Sequence, residues 1–147
     1  MEKKDFVEIL WKYFELHSSQ RMQMMNFYII LESLFFTGLF ALFTADKEMK
    51  IPESCICVAI IFFSLIFYGF DKRTRDMIHN CEKSIKCVEN EYKGTFGHKM
   101  MIFTAEEEMT NEKRHDSKIM YTYTTLLIAE YWAFGITAAG ILLYIWK

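Results

Sequence analysis

Arginine and histidine side chains lie where long apolar stretches of this chain give way to charged sequence. Arg73, Arg75 and His79 follow one apolar run, and His17 and Arg21 precede another. Arg75 and His79 are four residues apart, so they share one face of a helix. An imidazole that titrates near neutral pH beside guanidinium groups suits acid–base chemistry on a phosphate. The same groups also anchor helices at a membrane surface, which leaves both interpretations open.

Two carboxyl groups interrupt the apolar stretches themselves. Glu32 and Glu130 each lie among apolar residues, and a carboxyl inside a membrane span is costly unless it faces a bundle interior or a water-filled path. The alternative is that each carboxyl is protonated or hydrogen-bonded to Ser33, Thr37, Tyr131 or a neighbouring helix. Glu130 lies nearer one end of its stretch, where an interfacial position would also accommodate it.

A heptad stripe runs along the first long apolar pattern and contains two of the polar candidates. Its members are Val7, Leu10, Phe14, His17, Arg21, Met24, Tyr28 and Leu31. Apolar residues at such spacing form the packing face of a helix, so His17 and Arg21 are expected to be paired, buried against a neighbour or exposed to water in a lumen. The candidates for lining or gating a pore are His17, Arg21, Glu32, Arg75 and His79.

Three long helices must position these residues. The first is predicted over 5–44, and the second begins at Pro52 and continues to about Tyr92, before Gly94 and Gly97. The second changes from apolar to charged at Asp71 without a break. At 1.5 Å per residue it would be roughly 60 Å long, against roughly 30 Å of hydrocarbon, so about half of it must project into water.

The third long pattern covers 118–146 and contains Gly135 and Ala139, a small-residue face that lets membrane helices approach closely. Between the second and third helices a short helix is predicted from Thr104. If the first two helices form a hairpin turning near Glu48, residues at equal depth have numbers that sum to about 96. This register places His17 level with His79 and Arg21 level with Arg75.

Composition supports a membrane protein with one domain. Of 147 residues, 52% are hydrophobic and 24% are charged, and the two classes are segregated along the chain. The fold predicted is all-α, with spans at about 26–44, 53–70 and 121–146. The first two helices extend beyond the membrane as an antiparallel hairpin, through polar regions 1–25 and 71–120.

Lysine and arginine distribution predicts the orientation. Positive residues flank the spans on the side of the N terminus, and the opposite side holds only Lys47, Lys50 and Lys147. The positive-inside rule then places the N terminus and region 71–120 in the cytoplasm and the C terminus outside. We therefore expect a multi-pass protein of the bacterial inner membrane.

The four cysteines predict neither a disulfide framework nor a metal centre. Cys55 and Cys57 lie within a span, and Cys81 and Cys87 lie on its continuation. Neither spacing suits zinc, so reduced structural thiols are expected. No metal and no cofactor are predicted, and a net charge of -2 gives no general bias toward nucleic acid.

The segment Arg73-Thr-Arg-Asp-Met-Ile-His79 resembles the Arg–His pattern of HEPN ribonucleases. With the long lead-in helix, paired spans and Asp-Lys-Arg-Thr-Arg boundary, residues 5–92 resemble two narrower groups. These are the HEPN-like small membrane accessory proteins of type VI-B CRISPR systems and the RipA-like octameric membrane proteins. The resemblance implies a ring oligomer, an octamer, that encloses a pore and acts in antiphage defence.

Three functions follow as hypotheses. The first is an oligomeric membrane pore or channel that depolarises or permeabilises the inner membrane and enhances an RNA-guided CRISPR nuclease, with that nuclease or its RNA as partner. The second is a membrane-tethered HEPN-type ribonuclease using Arg73 or Arg75 with His79. The third is a structural membrane scaffold without conductance. A solvated His79 and snorkelling arginines are the simplest structural explanation of the motif.

Overall fold

The computed structural model describes residues 3–45, 49–91, 101–116 and 123–147, and these residues fold as α-helices. The helices are α1 (Lys3–Phe43), α2 (Lys50–Glu91), α3 (Ile102–Asp116) and α4 (Tyr123–Ile145). Helices α1, α2 and α4 are long and apolar enough to cross a membrane. The prediction of an all-α membrane fold with three long helices is therefore confirmed.

The described helices contribute to two compact units. We call Met22–Lys72 with Thr122–Lys147 the apolar unit, and Met1–Arg21 with Arg73–Tyr121 the charged unit. The predicted end of the second helix at Gly94 and Gly97, and the start of the third span at 121, lie outside the described residues.

The core of the apolar unit consists of two clusters of buried side chains. One is built around Leu39, Cys57, Ile60, Ala138 and Ile145. The other contains Met25, Tyr28, Leu127 and Tyr131. Each cluster draws on more than one helix, and the burial of apolar and aromatic surface holds those helices together.

The α1–α2 hairpin has the register expected from the sequence. Contacting residues have numbers that sum to 92 for Tyr28 with Ser64 and to 96 for Glu32 with Ser64. The stacked rings of Phe35 and Phe63, whose centroids are 5.6 Å apart, give 98. These values agree with a sum of about 96 to within one helical turn.

Helix α4 runs antiparallel to α2. The indole Nε1 of Trp146 donates a hydrogen bond to Ser54 Oγ over 2.9 Å, which joins the last turn of α4 to the first turns of α2. The end of α4 therefore lies at the same end of the apolar unit as the start of α2. Helices α1, α2 and α4 therefore cross the apolar unit in alternating directions.

In the charged unit, a carboxylate from α2 caps the first turn of α3. Glu89 accepts hydrogen bonds from the backbone N–H of Phe103 over 3.1 Å and of Thr104 over 3.0 Å, and from the Thr104 hydroxyl over 2.8 Å. The first amides of a helix lack partners within the helix, and the helix dipole favours a negative charge there. The helix predicted from Thr104 thus begins at Ile102, because its capping group comes from a different helix.

Aromatic contacts and an ion pair complete the docking of α3. The ring of Phe103 packs edge-on against Phe14, with centroids 5.4 Å apart, and against Trp11, with centroids 6.3 Å apart. Lys86 Nζ lies 2.9 Å from a carboxylate oxygen of Glu107, and its hydrogen bond lowers the pKa of that carboxyl. The buried thiol of Cys81 donates to the carbonyl of Leu10 over 3.1 Å, which joins α1 to α2 in this unit.

Replacing Glu89 should loosen α3. Glu89→Ala removes the acceptor for two backbone amides and one hydroxyl, so we expect a loss of about 1 kcal/mol or more of local stability. Hydrogen exchange of the amides in the first turn of α3 should accelerate by roughly tenfold. Asn90→Ala, at the exposed adjacent position, is the control. Equal exchange in the two variants would show that the cap contributes nothing.

Candidate functional site

The most unusual polar group in the apolar unit is the carboxyl of Glu32, which is completely buried within the protomer. Its Oε1 accepts a hydrogen bond from the Ser64 hydroxyl over 3.3 Å. Its Oε2 is buried and has no hydrogen-bond partner among the described residues. An uncompensated buried carboxylate oxygen is costly, so this group must bind a proton or gain a further polar partner.

Three side chains form a directed chain of hydrogen bonds. The Tyr28 hydroxyl lies 3.0 Å from Ser64 Oγ. A serine hydroxyl has one proton to donate, and in this geometry Ser64 donates it to Glu32. Tyr28 must then donate to Ser64, so the chain is polarised toward the carboxyl. We call Tyr28, Ser64 and Glu32 the buried polar cluster.

Aromatic rings enclose the tyrosine end of this cluster. The ring of Tyr28 lies 4.7 Å from Tyr131, 5.3 Å from Phe67 and 5.8 Å from Phe134, measured between centroids. Such ring pairs stabilise a core beyond the area they bury. The polar cluster is consequently surrounded by rigid apolar walls from α2 and α4.

The sequence explains this arrangement locally. Tyr28 and Glu32 are four residues apart and share the packing face of α1. Ser64 is the small polar residue within the apolar run of α2. Gly135 of α4 lies beside it, since a Cβ built on Gly135 would be 4.0 Å from the Cβ of Ser64.

The hydrogen-bond alternatives considered for Glu32 can now be separated. Its partner is Ser64 on the neighbouring helix α2. Ser33 and Thr37 instead donate to the carbonyls of Ile29 and Ser33 in their own helix, each over 2.7 Å. Glu130 is half-buried near the first turns of α4.

His17 and Arg21 are both half-buried on α1. The Nδ1 of His17 lies 3.0 Å from the side-chain oxygen of Gln20. Its ring packs against Tyr13 with centroids 4.2 Å apart. His17 is therefore held by neighbours on its own helix.

The Arg–His motif is spread around α2. His79 is exposed, and its Nδ1 lies 3.5 Å from a carboxylate oxygen of Glu82. Arg73 is exposed and Arg75 is half-buried. The structure thus pairs His79 with a carboxylate rather than with either arginine of the motif.

Gly135 and Ala139 line an apolar groove between α2 and α4. The groove has a volume of about 210 Å³. Its other walls are formed by Ile61, Ser64, Leu65, Tyr68, Tyr131, Trp132 and Ile136. Ala138, on a different face of α4, is completely buried in the protomer core. The small residues therefore serve two faces, one within the protomer and one open to the outside.

Sequence reasoning found Glu32 but missed the two residues that hold it. The heptad pattern predicts Tyr28 on the packing stripe but indicates no partner for its hydroxyl, and Ser64 lies within the long apolar run that precedes Asp71. The predicted hairpin register places Ser64 level with Glu32, and this is the feature of the sequence that points to their contact. Among the described residues, no group of three or more His, Cys, Asp or Glu side chains is arranged to hold a metal ion.

A unit of three apolar helices with long amphipathic extensions defines a polytopic membrane protein. The chain belongs to the octameric membrane protein family, whose model matches residues 4–146. This membership supports the predicted ring oligomer in the membrane.

One curated relative is CD-NTase-associated protein 19 of Escherichia coli, which is 34% identical over 85 residues. The aligned segment covers 58% of this chain and 56% of the relative, so the match spans little more than half of either protein. No solved structure matches the chain at a significant level.

Removing the Glu32 side chain should destabilise the apolar unit. Glu32→Ala leaves Ser64 without its acceptor and creates a cavity, at a cost of about 2–4 kcal/mol. Glu32→Gln keeps an oxygen for Ser64 and should cost less. Thermal unfolding of the detergent-solubilised protein should follow this order, with the exposed Ser33→Ala as control. A melting temperature of Glu32→Ala equal to that of Ser33→Ala would contradict the structural role.

Bulky residues in the groove should weaken assembly. Gly135→Leu or Ala139→Leu fills the groove, whereas the protomer core packs on Ala138. We expect insertion to persist and the oligomer to dissociate at lower detergent concentration on native gels. Gly140→Leu is the matched control, because an added Cβ there meets nothing within 4 Å. Identical assembly of all three variants would show that this groove meets only lipid.

Proposed function

We propose that this protein assembles as a closed octameric ring in the bacterial inner membrane and forms a pore in antiphage defence. Its opening would depolarise or permeabilise the membrane. The observation that carries the proposal is membership of an octameric membrane family by a chain with three spanning helices. Copies related by closed rotational symmetry surround an axis that no protomer occupies, and such an axis can hold an aqueous path.

The surfaces of the apolar unit support assembly. In the most apolar 18-residue segment of each long helix, only 17–22% is buried inside the protomer. The remaining apolar surface is available to lipid and to neighbouring copies. Helices with small-residue grooves associate in membranes through close packing, and the groove at Gly135 provides such a surface.

The name of the Escherichia coli relative associates that protein with a CD-NTase. Together with the resemblance of residues 5–92 to defence-associated membrane proteins, this name supports a role for the present chain in antiphage defence. The molecule that opens the pore would then be another component of that defence system. An RNA-guided RNA-targeting nuclease or its RNA is the partner that the resemblance implies.

The predicted site residues divide into two roles in this proposal. Glu32 is a gating candidate, because its burial couples α1 to α2 through Ser64. His17, Arg21, Arg75 and His79 belong to α1 and α2 at the charged side of the predicted spans, where they would surround the pore entrance. With the positive-inside rule, that entrance and the N terminus are cytoplasmic.

The ribonuclease alternative requires an Arg–His pair, which the contact between His79 and Glu82 does not provide within one protomer. A pair between subunits would restore it. The scaffold alternative requires the same ring without conductance. The experiments that test the pore also test the ribonuclease and the scaffold.

Cells carrying the wild-type protein should lose membrane potential after phage challenge, measured with a potential-sensitive dye. Purified protein should not cut RNA. His79→Gln should retain depolarisation, because it keeps side-chain size and hydrogen bonding but removes acid–base chemistry. The matched control is a strain without the protein.

Other results would identify the alternatives. Full membrane potential after challenge, with His79-dependent RNA cleavage by purified protein, would replace the pore with the ribonuclease. Full potential without cleavage would favour the scaffold.

A further inference from the structure

Helix α1 carries a polar face that is directed outward from the apolar unit. The residues recur at spacings of three and four, and each is exposed. They are Gln23, Asn26, Ile30, Ser33, Thr37, Ala41 and Thr44. We call this set the α1 polar stripe. It contains no charged side chain.

The stripe lies opposite the packing face of the same helix. At 100° per residue, Ser33 and Thr37 project about 100° or more away from Glu32 and Leu39, which are completely or almost completely buried. Helix α1 therefore separates two environments, the protomer core on one face and the outside on the other.

The outward face of α2 has a different chemistry. Its exposed stripe consists of Cys55, Val58, Phe62 and Leu65. Those side chains suit lipid or a neighbouring apolar helix, whereas amide and hydroxyl groups at the depth of the membrane suit water. Of these two outward faces, the α1 stripe is thus the one whose composition fits an aqueous path.

Hydrogen bonding leaves acceptor oxygens on the stripe. The hydroxyls of Ser33, Thr37 and Thr44 donate to carbonyls of α1 over 2.7, 2.7 and 3.1 Å. Their protons are thereby satisfied within the helix, and their oxygens, which belong to exposed residues, can still accept hydrogen bonds. Such groups can solvate a cation or an ordered water without fixing a net charge.

Ile30 interrupts the stripe between Asn26 and Ser33. Its side chain is 57% exposed. In a ring of copies, one isoleucine from each would form an apolar girdle between the polar levels of Asn26 and Ser33. Apolar girdles of this kind close channels by excluding water.

We propose that the α1 polar stripe lines the aqueous lumen of the octamer and that Ile30 forms its hydrophobic constriction. This inference rests on the proposed ring-shaped pore and identifies its lining. Because the stripe has no charged side chain, this part of the path takes small hydrated ions and does not itself select strongly by charge.

Cysteine labelling tests the lining in the full-length octamer. Ser33→Cys and Thr37→Cys are introduced separately into a chain whose exposed native thiols are removed by Cys55→Ser and Cys87→Ser. Phe62→Cys is the matched control. It is exposed on α2 beside Phe63, which stacks on Phe35 of α1, so its depth is nearly that of Ser33.

A membrane-impermeant charged methanethiosulfonate reagent is then added to the octamer in liposomes. Thiolates form in water and not in lipid, so both α1 cysteines should react at least about tenfold faster than the Phe62→Cys control. Equal or slower reaction at both α1 positions overturns the inference. Two positions are used so that a variant that fails to assemble does not remove the test.

Conductance tests the constriction. In planar bilayers, Ile30→Ser should raise basal ion flux by roughly tenfold, because water and ions enter a polar girdle more readily. Ile29→Ser is the control, since Ile29 is also exposed but lies 100° around the helix. Equal flux in the two variants would contradict a constriction at Ile30.

Different results would refute the lining by α1 and the existence of the pore. A conducting octamer with unreactive α1 cysteines refutes the lining and leaves the pore intact. Reactive α1 cysteines in an octamer that never conducts support the water-facing stripe and refute the pore.

Discussion

The contact between α1 and α2 at Glu32, Ser64 and Tyr28 is the interaction on which the apolar unit depends. A polar group in an apolar bundle has few acceptable positions, since each hydrogen bond must be satisfied within the protein. The chain from Tyr28 through Ser64 to Glu32 therefore fixes the register of the hairpin more tightly than apolar contacts alone. Tyr28 also joins α4 to the hairpin through Tyr131 and Phe134.

Once this register is set, α1 has two distinct faces in the apolar unit. One is committed to the core through Glu32 and Leu39, and the other carries hydroxyl and amide groups outward. An exposed polar face at the depth of the membrane is unfavourable in a single protomer, where it would meet lipid. In the proposed pore, the closed ring would place that face on the aqueous axis, and the apolar faces of the other helices would meet lipid and neighbouring copies.

In the charged unit, a helix cap and an ion pair add to the aromatic packing of Phe103 on Trp11 and Phe14. Glu89 caps α3, and Lys86 pairs with Glu107. Both interactions are only partly buried, so water screens them more than the fully buried contacts of the apolar unit.

The sequence by itself determined that three long apolar helices form, because hydropathy and helical period depend on residues near one another in the chain. It also predicted the hairpin register, because two antiparallel helices that turn near Glu48 place residues at equal distance from the turn side by side. It also identified Glu32 as an exceptional carboxyl. Only the tertiary structure decided that Ser64 binds this carboxyl and that Glu89 caps a helix that begins 13 residues further along the chain. Those contacts join different helices or depend on side-chain direction, and residue spacing cannot specify them. Likewise, the polar face of α1 became visible only when packing showed which side of the helix was already occupied.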